Sequence, residues 1–428
     1  MNRRSMVVAG VAGLSYLVTV VQRSSLGVAA IEASQRFHTN ASQLAALSVA
    51  QLVLYAAMQI PVGVLLDRFG AKRLLIVGST AMAGGQLLIA FATDFAQALS
   101  GRALVGFGDA FTFVTMLRLA NSWFSGAQAA RAQQILTNFG QLGQLLSAVP
   151  FAALLTAVGW TPAFSVLSAA SLLIALLVLA IISDAPAGET SHRLDNVREV
   201  VAGLRANIRT PAVQLGFWTH FSAQSAGTVF ALVWGVPYMV EGLGLSHSLA
   251  SALLSILVAS NIFYGPLIGQ FCAKRPQHRH RLVIGVVVAL MSIVSFQILW
   301  PSRIEPLALG CLLFALGVGG PASMISFDYS RTFVSKATLG AANGFINVGG
   351  FIASSTMMAL IGAAIDLRQK VECAAGSCGQ LFSLDHFRVA FICEVAVIAF
   401  GLLMFARTYR KLKTWEYLRA TGHLVGDH

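Results

Sequence analysis

Long apolar segments alternate with short polar ones along the whole chain. A helix that crosses the hydrocarbon core of a bilayer needs about 20 mainly apolar residues, and these segments are long enough. Each of them therefore predicts a transmembrane α-helix. The twelve predicted spans are residues 6–31, 42–66, 74–93, 98–124, 132–157, 161–183, 212–240, 248–272, 282–300, 306–327, 338–365 and 386–406.

The polar segment 184–211 is much longer than the other loops and divides the spans six and six. Apolar residues recur in it at helical spacing among arginines, which predicts a short amphipathic helix on the inner membrane face. The halves also match, with Asn138-Phe-Gly140 corresponding to Asn347-Val-Gly349. Paired six-helix halves are typical of transporters. We therefore expect an all-α membrane protein with two pseudo-symmetric six-helix bundles, 1–183 and 212–428.

Composition and charge agree with this arrangement. The chain has 428 residues, of which 56% are hydrophobic and 11% charged, against about 25% charged in a soluble protein. With the N-terminus inside, 22 of the 29 Lys and Arg residues fall in inner segments and 5 in outer ones. This bias predicts cytoplasmic termini in a plasma-membrane protein. The basic residues do not cluster on one domain, so the +12 net charge does not indicate nucleic-acid binding.

Few residues suggest other chemistry. Cys373 and Cys378 lie in a predicted outer loop, where they form either a disulfide or two free thiols. The chain shows no cluster of nucleophile, base or metal ligands at a membrane face, so we expect no enzyme activity, cofactor or metal. The N-terminal apolar run lacks a small-residue cleavage site, which favours a first membrane helix over a removed signal.

Charged residues inside apolar spans are functional candidates, because a charge at mid-membrane is costly. Arg23 follows Tyr16 by seven residues in the first span and shares its face, and Asp109 lies in the fourth span. At 1.5 Å per residue, Arg23 and Asp109 lie about 26 and 23 Å from the inner ends of their helices, so they are level. We expect His220 to be a core histidine. We expect Glu394 to be either a second proton site or a structural group.

Residues 61–73, PVGVLLDRFGAKR, form the turn between the second and third spans. Glycines permit a tight turn and basic residues hold it inside. The pattern G-x-x-x-D-R-x-G-x-K-R is similar to the signature loop between helices 2 and 3 of the major facilitator superfamily. The resemblance implies a transporter with a conformational motif at its inner face, in which Asp67, Arg68 and Arg73 join the halves as a latch. The motif residues here are Gly63, Asp67, Arg68, Gly70, Lys72 and Arg73.

YLVTVVQRSSLGVAA and GFGDAFTFVTMLRLANSWF resemble the branch of that superfamily that carries organic anions with protons. A helix-1 arginine and a helix-4 acid, followed by an arginine and Trp-Phe, are the pattern of this branch. In the superfamily helices 1 and 4 line the central cavity, so the resemblance implies that Arg23 and Asp109 face each other. We assign Arg23, Tyr16 and Gln22 to the substrate, and note that the branch often has an acid where this chain has Gln22.

Two further arginines lie in the fourth span. Arg102 begins R-x-x-x-G-x-G, similar to the helix-4 motif of the superfamily, whose arginine is linked to proton movement. The alternative is a helix-end arginine that snorkels outward. Arg118 lies near the inner end, where we expect a gate or interface residue. The predicted proton-coupling residues are therefore Asp109, Arg102 and Glu394.

The fork of a guanidinium suits a carboxylate. An anion on Arg23 would remove the partner of Asp109 and favour its protonation, so that anion and proton bind cooperatively. The alternative is a purely structural ion pair. Nitrate or nitrite transport and drug/proton antiport also remain open, suggested by GAANGFINVGG and by the 61–73 loop respectively. The expected partners are a small anion, protons and the lipid bilayer, with the protein a monomer.

Overall fold

The computed structural model describes residues 3–124, 126–184, 208–334 and 339–420, and within them every regular element is helical. In the N-terminal half, a π-helical turn follows α6. The helices of this half are α1 (Arg3–Val28), α2 (Ala30–Arg36), α3 (Ala41–Phe69), α4 (Ala71–Phe91), α5 (Phe95–Trp123), α6 (Gly126–Leu146), α7 (Ala152–Val158) and α8 (Trp160–Ile181).

In the C-terminal half, π-helical turns follow α9 and α10. The helices of this half are α9 (Pro211–Val229), α10 (Gly235–Pro237), α11 (His247–Lys274), α12 (Arg279–Leu299), α13 (Pro306–Leu316), α14 (Gly319–Ser323), α15 (Ile325–Phe333), α16 (Leu339–Ala374) and α17 (Leu384–Ala420). Most of the predicted linker helix in 184–211 lies outside the described residues, so it stays a prediction.

Eleven helical stretches of the described chain are long and apolar enough to cross a membrane. They correspond to eleven of the twelve predicted spans, which confirms the all-helical membrane class. The remaining prediction, 212–240, is helical from Pro211 to Gly242 but is not among the eleven. Polar residues such as Gln214, His220 and Gln224 interrupt its apolar run. The count of twelve crossings and the orientation of the termini therefore stay predictions.

Glycines set the closest helix approaches in the N-terminal half. On α4 and α5, a Cβ added at Gly78, Gly85 or Gly108 would lie within 2.9 Å of the facing backbone or side chain. Small residues allow membrane helices to pack at such short separations, where dispersion contacts are densest. The glycine-rich GFGDAF segment of α5 is thereby held close to α3 and α4, and it carries Asp109.

The two halves pack on each other mainly through α3 and α16. These helices run antiparallel, since Ala41 contacts Asp366 and Tyr55 contacts Phe351. The backbone of Ala231 leaves room only for glycine at position 27 of α1, and Ser48 of α3 donates a hydrogen bond to the Leu232 carbonyl at 3.3 Å. These contacts lie toward the membrane face that contains the start of α3. We call it the outer face, after the charge distribution of the sequence.

Candidate functional site

Arg23 of α1 and Asp109 of α5 form a two-pronged ion pair. Arg23 donates from Nε to Asp109 Oδ2 at 2.7 Å and from Nη2 to Oδ1 at 2.6 Å. The arginine side chain is 16% exposed and the aspartate 1%. Thr19, one turn before Arg23 on α1, donates to Thr112 Oγ1 of α5 at 3.1 Å. This hydrogen bond holds α1 and α5 in the relative position that the ion pair needs. The structure thus brings together the two charges whose depths are level in the sequence.

Gln51 of α3 is a third group at this pair. Its Nε2 lies 3.4 Å from Asp109 Oδ2, so it donates a long hydrogen bond to the oxygen that already accepts from Arg23. The approach depends on Gly106 of α5, where a Cβ would collide with the Gln51 backbone. Asp109 Oδ2 thus accepts from two donors, one on α1 and one on α3.

Two tyrosines border the guanidinium. The Arg23 Cζ atom lies 4.9 Å from the centroid of the Tyr55 ring, a cation–π distance. Tyr16 is half-buried, lies near both Arg23 and Asp109, and packs on Phe113 at 5.3 Å between ring centroids. The predicted proximity of Tyr16 to Arg23 is therefore present, whereas Tyr55 is a site residue that the sequence analysis did not identify.

Arg102 lies deep inside the N-terminal half. It is 2% exposed, which excludes the snorkelling alternative. Its guanidinium donates to the backbone carbonyls of Gln22 at 3.4 Å and Arg23 at 3.3 Å, while Nε has no hydrogen-bond partner within the described part of the chain. Arg102 therefore holds the backbone of α1 in position at Arg23. Asp109 is close enough to interact electrostatically with the Arg102 guanidinium.

Gln22 is placed outside the candidate site, contrary to the expectation that it contacts substrate. The residue is fully buried, and its Nε2 donates to the Leu167 carbonyl of α8 at 3.0 Å and to Ser171 Oγ. Successive helix residues differ by about 100° in direction, because a turn contains 3.6 residues. The neighbour of Arg23 in sequence therefore points away from it, into the packing between α1 and α8.

The 61–73 loop ends α3 with Gly70, whose φ of +81° is favourable only for glycine. The carboxylate of Asp184, just beyond α8, occupies the space that a Cβ of Gly70 would need. Its Oδ1 accepts a hydrogen bond from the Lys72 backbone N at 2.7 Å, in the first turn of α4. Asp184, which the sequence analysis did not single out, therefore anchors the motif to the end of the sixth predicted span.

The other motif residues are distributed differently. No atom of the described residues lies within 4 Å of the position of a Gly63 Cβ, so no close approach within this part of the chain explains the glycine. Arg68 is exposed and lies over the Phe69 ring at 5.4 Å, and Arg73 is exposed. The Asp67 side chain lies outside what the structure describes. Arg118 is half-buried near the inner end of α5. The latch role that the resemblance implies for this motif stays a prediction.

Glu394 does not join the Arg23–Asp109 site. It lies on α17, which packs on α9, α12 and α16 of the C-terminal half. The residue is 5% exposed, and its carboxyl group has no hydrogen bond or ion pair with the residues that the structure describes. A charged carboxylate without partners is costly in such surroundings.

A buried polar group of the C-terminal half is centred on His220. His220 of α9 is buried, and its Nδ1 lies 3.3 Å from the Ser323 carbonyl oxygen and 3.4 Å from Ser326 Oγ. Gly350 of α16 leaves space for the His220 ring and for the Gln224 side-chain oxygen. His220 thus lies among polar partners in the core. The sequence signal that could have indicated this group was the glycine pair 349–350.

Cys373 and Cys378 form a disulfide at the end of α16. Of the two alternatives left open by the sequence, the structure therefore has the bonded one. The remaining cysteines, Cys272, Cys311 and Cys393, are free.

Comparison with known proteins gives concordant results. The family model of the Major Facilitator Superfamily matches residues 12–358. The probable sulfoacetate transporter SauU of Cupriavidus necator is 30% identical over 194 residues, which are 45% of this chain and 45% of that protein. The hexuronate transporter of Bacillus subtilis is 22% identical over 299 residues, 67% of this chain and 69% of that protein. Alignment to the first of these relatives thus covers less than half of its length.

The fold matches solved transporters over nearly its whole length. A bacterial homolog of the human lysosomal transporter Spinster, in an inward-facing and unoccupied conformation, superposes with a TM-score of 0.76. The match covers 97% of this chain and 98% of that one, at 15% sequence identity. At this identity the similarity concerns the fold alone. The predicted resemblance to the organic-anion branch is confirmed by the relatives, since sulfoacetate and hexuronates are organic anions.

Proposed function

The chain belongs to the Major Facilitator Superfamily, and on that premise we propose that it moves a small organic anion together with a proton by alternating access. The superfamily consists of membrane transporters, not enzymes, and this protein is a multi-pass membrane protein. The cargo carries a carboxylate or sulfonate group. The single observation that carries the proposal is the two-pronged ion pair between Arg23 and Asp109.

Arg23 is the anion-binding group of this proposal. Its guanidinium presents the Nε and Nη2 donors in parallel to a carboxylate, the geometry that a substrate carboxylate or sulfonate also satisfies. Asp109 therefore occupies the position of a bound anion. The 16% exposure of Arg23 leaves it reachable, whereas Asp109 is closed off. A substrate anion approaches from the arginine side and competes with the aspartate for the same donors.

Proton coupling follows from this competition. While Asp109 is ionised it holds Arg23, and the anion is kept off. Protonation of Asp109 cancels that attraction and frees the guanidinium, and an anion on Arg23 in turn favours protonated Asp109. Binding of proton and anion is thereby cooperative, as symport requires. The Arg102 contact to the Arg23 carbonyl keeps α1 in place while the side chain changes partner.

Proteoliposome transport of sulfoacetate and a hexuronate tests the proposal, with nitrate and a cationic drug as arms for the two alternatives. Wild-type uptake rises as the outer pH falls, because Asp109 gains its proton more readily there. Asp109→Asn mimics the protonated acid, so it retains anion counterflow but loses the pH dependence. Arg23→Ala, in contrast, reduces anion counterflow itself by at least about tenfold, because it removes roughly 1.4 kcal/mol of binding free energy.

Asp94→Asn is the matched control for Asp109→Asn. Asp94 caps α5 by accepting a hydrogen bond from the Gln97 backbone at 2.9 Å and lies at an exposed helix start. The control therefore keeps the wild-type pH profile. Proton-dependent uptake that persists in Asp109→Asn contradicts the coupling role, and transport of the cationic drug in preference to both anions contradicts the substrate class.

A further inference from the structure

Asp366 connects the two halves at the outer face. It lies near the end of α16, and its carboxylate accepts hydrogen bonds from the first two backbone amides of α3. Oδ1 is 2.8 Å from Ala41 N and Oδ2 is 2.9 Å from Ser42 N. The residues are 325 and 324 positions apart in the chain. A helix of one half is thus bound at its positive end by an acid of the other.

α3 does not need Asp366 in order to begin. Asn40 accepts a hydrogen bond from Gln43 N at 2.8 Å, and the Gln43 side chain accepts from Asn40 N at 3.1 Å, which completes a capping box within α3 itself. Asp366 takes two further amides that the box leaves free. Its contribution is therefore to hold α16 against α3 rather than to start the helix.

The surrounding backbone is shaped for this contact. Gly362 lies one helical turn before Asp366 on the same face of α16, and a Cβ there would be 2.8 Å from the Ala41 carbonyl oxygen. The two helices then stay in contact down to the Tyr55 and Phe351 rings, 4.7 Å apart. Asp366 thus closes the end of a continuous interface between the halves.

Nearby charges do not neutralise Asp366 directly. Arg368 pairs with Glu372 at 3.0 Å, and Glu372 also pairs with His386 at 2.9 Å. Across the described residues, the Asp366 carboxylate accepts hydrogen bonds from the two α3 amides and forms no ion pair. The contact between the halves at this point therefore consists of one carboxylate and one helix terminus, and it can separate without breaking an ion pair.

We propose that Asp366 is the outer latch of the transporter, which holds the outer side closed and releases α3 when that side opens. The arrangement mirrors the inner motif. Asp67 follows the start of α3 at Ala41 by 26 residues, and Asp366 follows the start of α16 at Leu339 by 27. Because α3 and α16 are antiparallel neighbours, this spacing places each acid at the same height as the N-terminus of the other helix. The inference rests on the proposed alternating access, but not on the identity of the cargo.

Cysteine labelling tests the latch. Ser48→Cys is the reporter, because Ser48 is buried and its hydroxyl bonds to the Leu232 carbonyl of the other half, so a thiol there reacts only when the outer side opens. The background lacks the three free cysteines and keeps the disulfide. Labelling is measured on the full chain in nanodiscs. Asp366→Ala raises the labelling rate about tenfold, which corresponds to about 1.4 kcal/mol in the closing equilibrium.

The matched control is Asp94→Ala, which also removes a carboxylate cap from a helix at this face, but within one half. Its labelling rate stays at the background value. Asp366→Asn keeps one acceptor oxygen and gives an intermediate rate, and it decides the matter if Asp366→Ala does not fold. Equal rates in the Asp366 variants and the control overturn the latch. A raised rate in a protein that transports no anion refutes the proposed cargo and leaves the latch standing.

Discussion

The ring of Tyr55 lies between Arg23 of its own half and Phe351 of the other half. Its centroid is 4.9 Å from the Arg23 Cζ atom and 4.7 Å from the centroid of Phe351. One aromatic ring thus contacts both the proposed anion-binding group and the interface between the halves. In the proposed mechanism, this ring is the contact through which a change of partner at Arg23 reaches the packing of the halves.

Substitutions at Tyr55 separate the ring from the hydroxyl group. Tyr55→Phe keeps the cation–π contact and the ring contact with Phe351, and we expect anion affinity within about twofold of wild type. Tyr55→Leu removes about 0.5–2 kcal/mol of cation–π attraction, which weakens binding by about 2- to 30-fold. Titration of the purified protein with the transported anion measures both. Equal losses in the two variants would show that the hydroxyl group, not the ring, is needed.

Gly106 tests the close approach of α5 to α3. Gly106→Ala forces a methyl group against the Gln51 backbone, which displaces the amide that bonds to Asp109 and costs about 1–3 kcal/mol of stability. Gly84→Ala is the matched control, since its Cβ meets only a Leu104 methyl group at 3.6 Å. We expect a lower melting temperature for the first variant and an unchanged or higher one for the second. The same loss in both would contradict the packing argument.

The motif turn is tested by a second pair of glycines. Gly70 and Gly159 have φ angles of +81° and +78°, so alanine costs about 1–2 kcal/mol of backbone strain at either position. Only Gly70 also faces the Asp184 carboxylate, whereas Gly159 faces open space. Gly70→Ala therefore lowers the melting temperature more than Gly159→Ala does. Identical shifts would mean that the carboxylate moves aside freely and does not anchor the turn.

Glu394 was one of three proton-coupling candidates, and its position predicts a different outcome from Asp109. Glu394→Gln replaces a buried acid that has no partner among the described residues. Glu394 contacts neither Arg23 nor Asp109. We expect the pH dependence of uptake to persist and the melting temperature to stay the same or rise, because a partnerless carboxyl group contributes little stability. A flat pH profile in this variant would instead put Glu394 on the proton path.

The sequence determined the features that depend on position along a helix. Apolar length marks a membrane span wherever it occurs, so eleven of the twelve predicted spans recur in the described structure. The depth of a residue in the membrane also follows from its position along its helix, and this position predicts that Arg23 lies at the same height as Asp109. The 61–73 loop identified the superfamily because its glycine, acid and basic residues lie within one short turn.

Only the tertiary structure decided which way each side chain points and what it meets. Gln22 adjoins Arg23 in the chain but faces α8, because one residue rotates the direction by about 100°. Gln51, Tyr55 and Asp366 carry no distinctive local pattern, and their partners lie 32 to 325 positions away. Such contacts exist only after the helices have packed. The sequence therefore set the height of each group in the membrane, and helix packing set its neighbours.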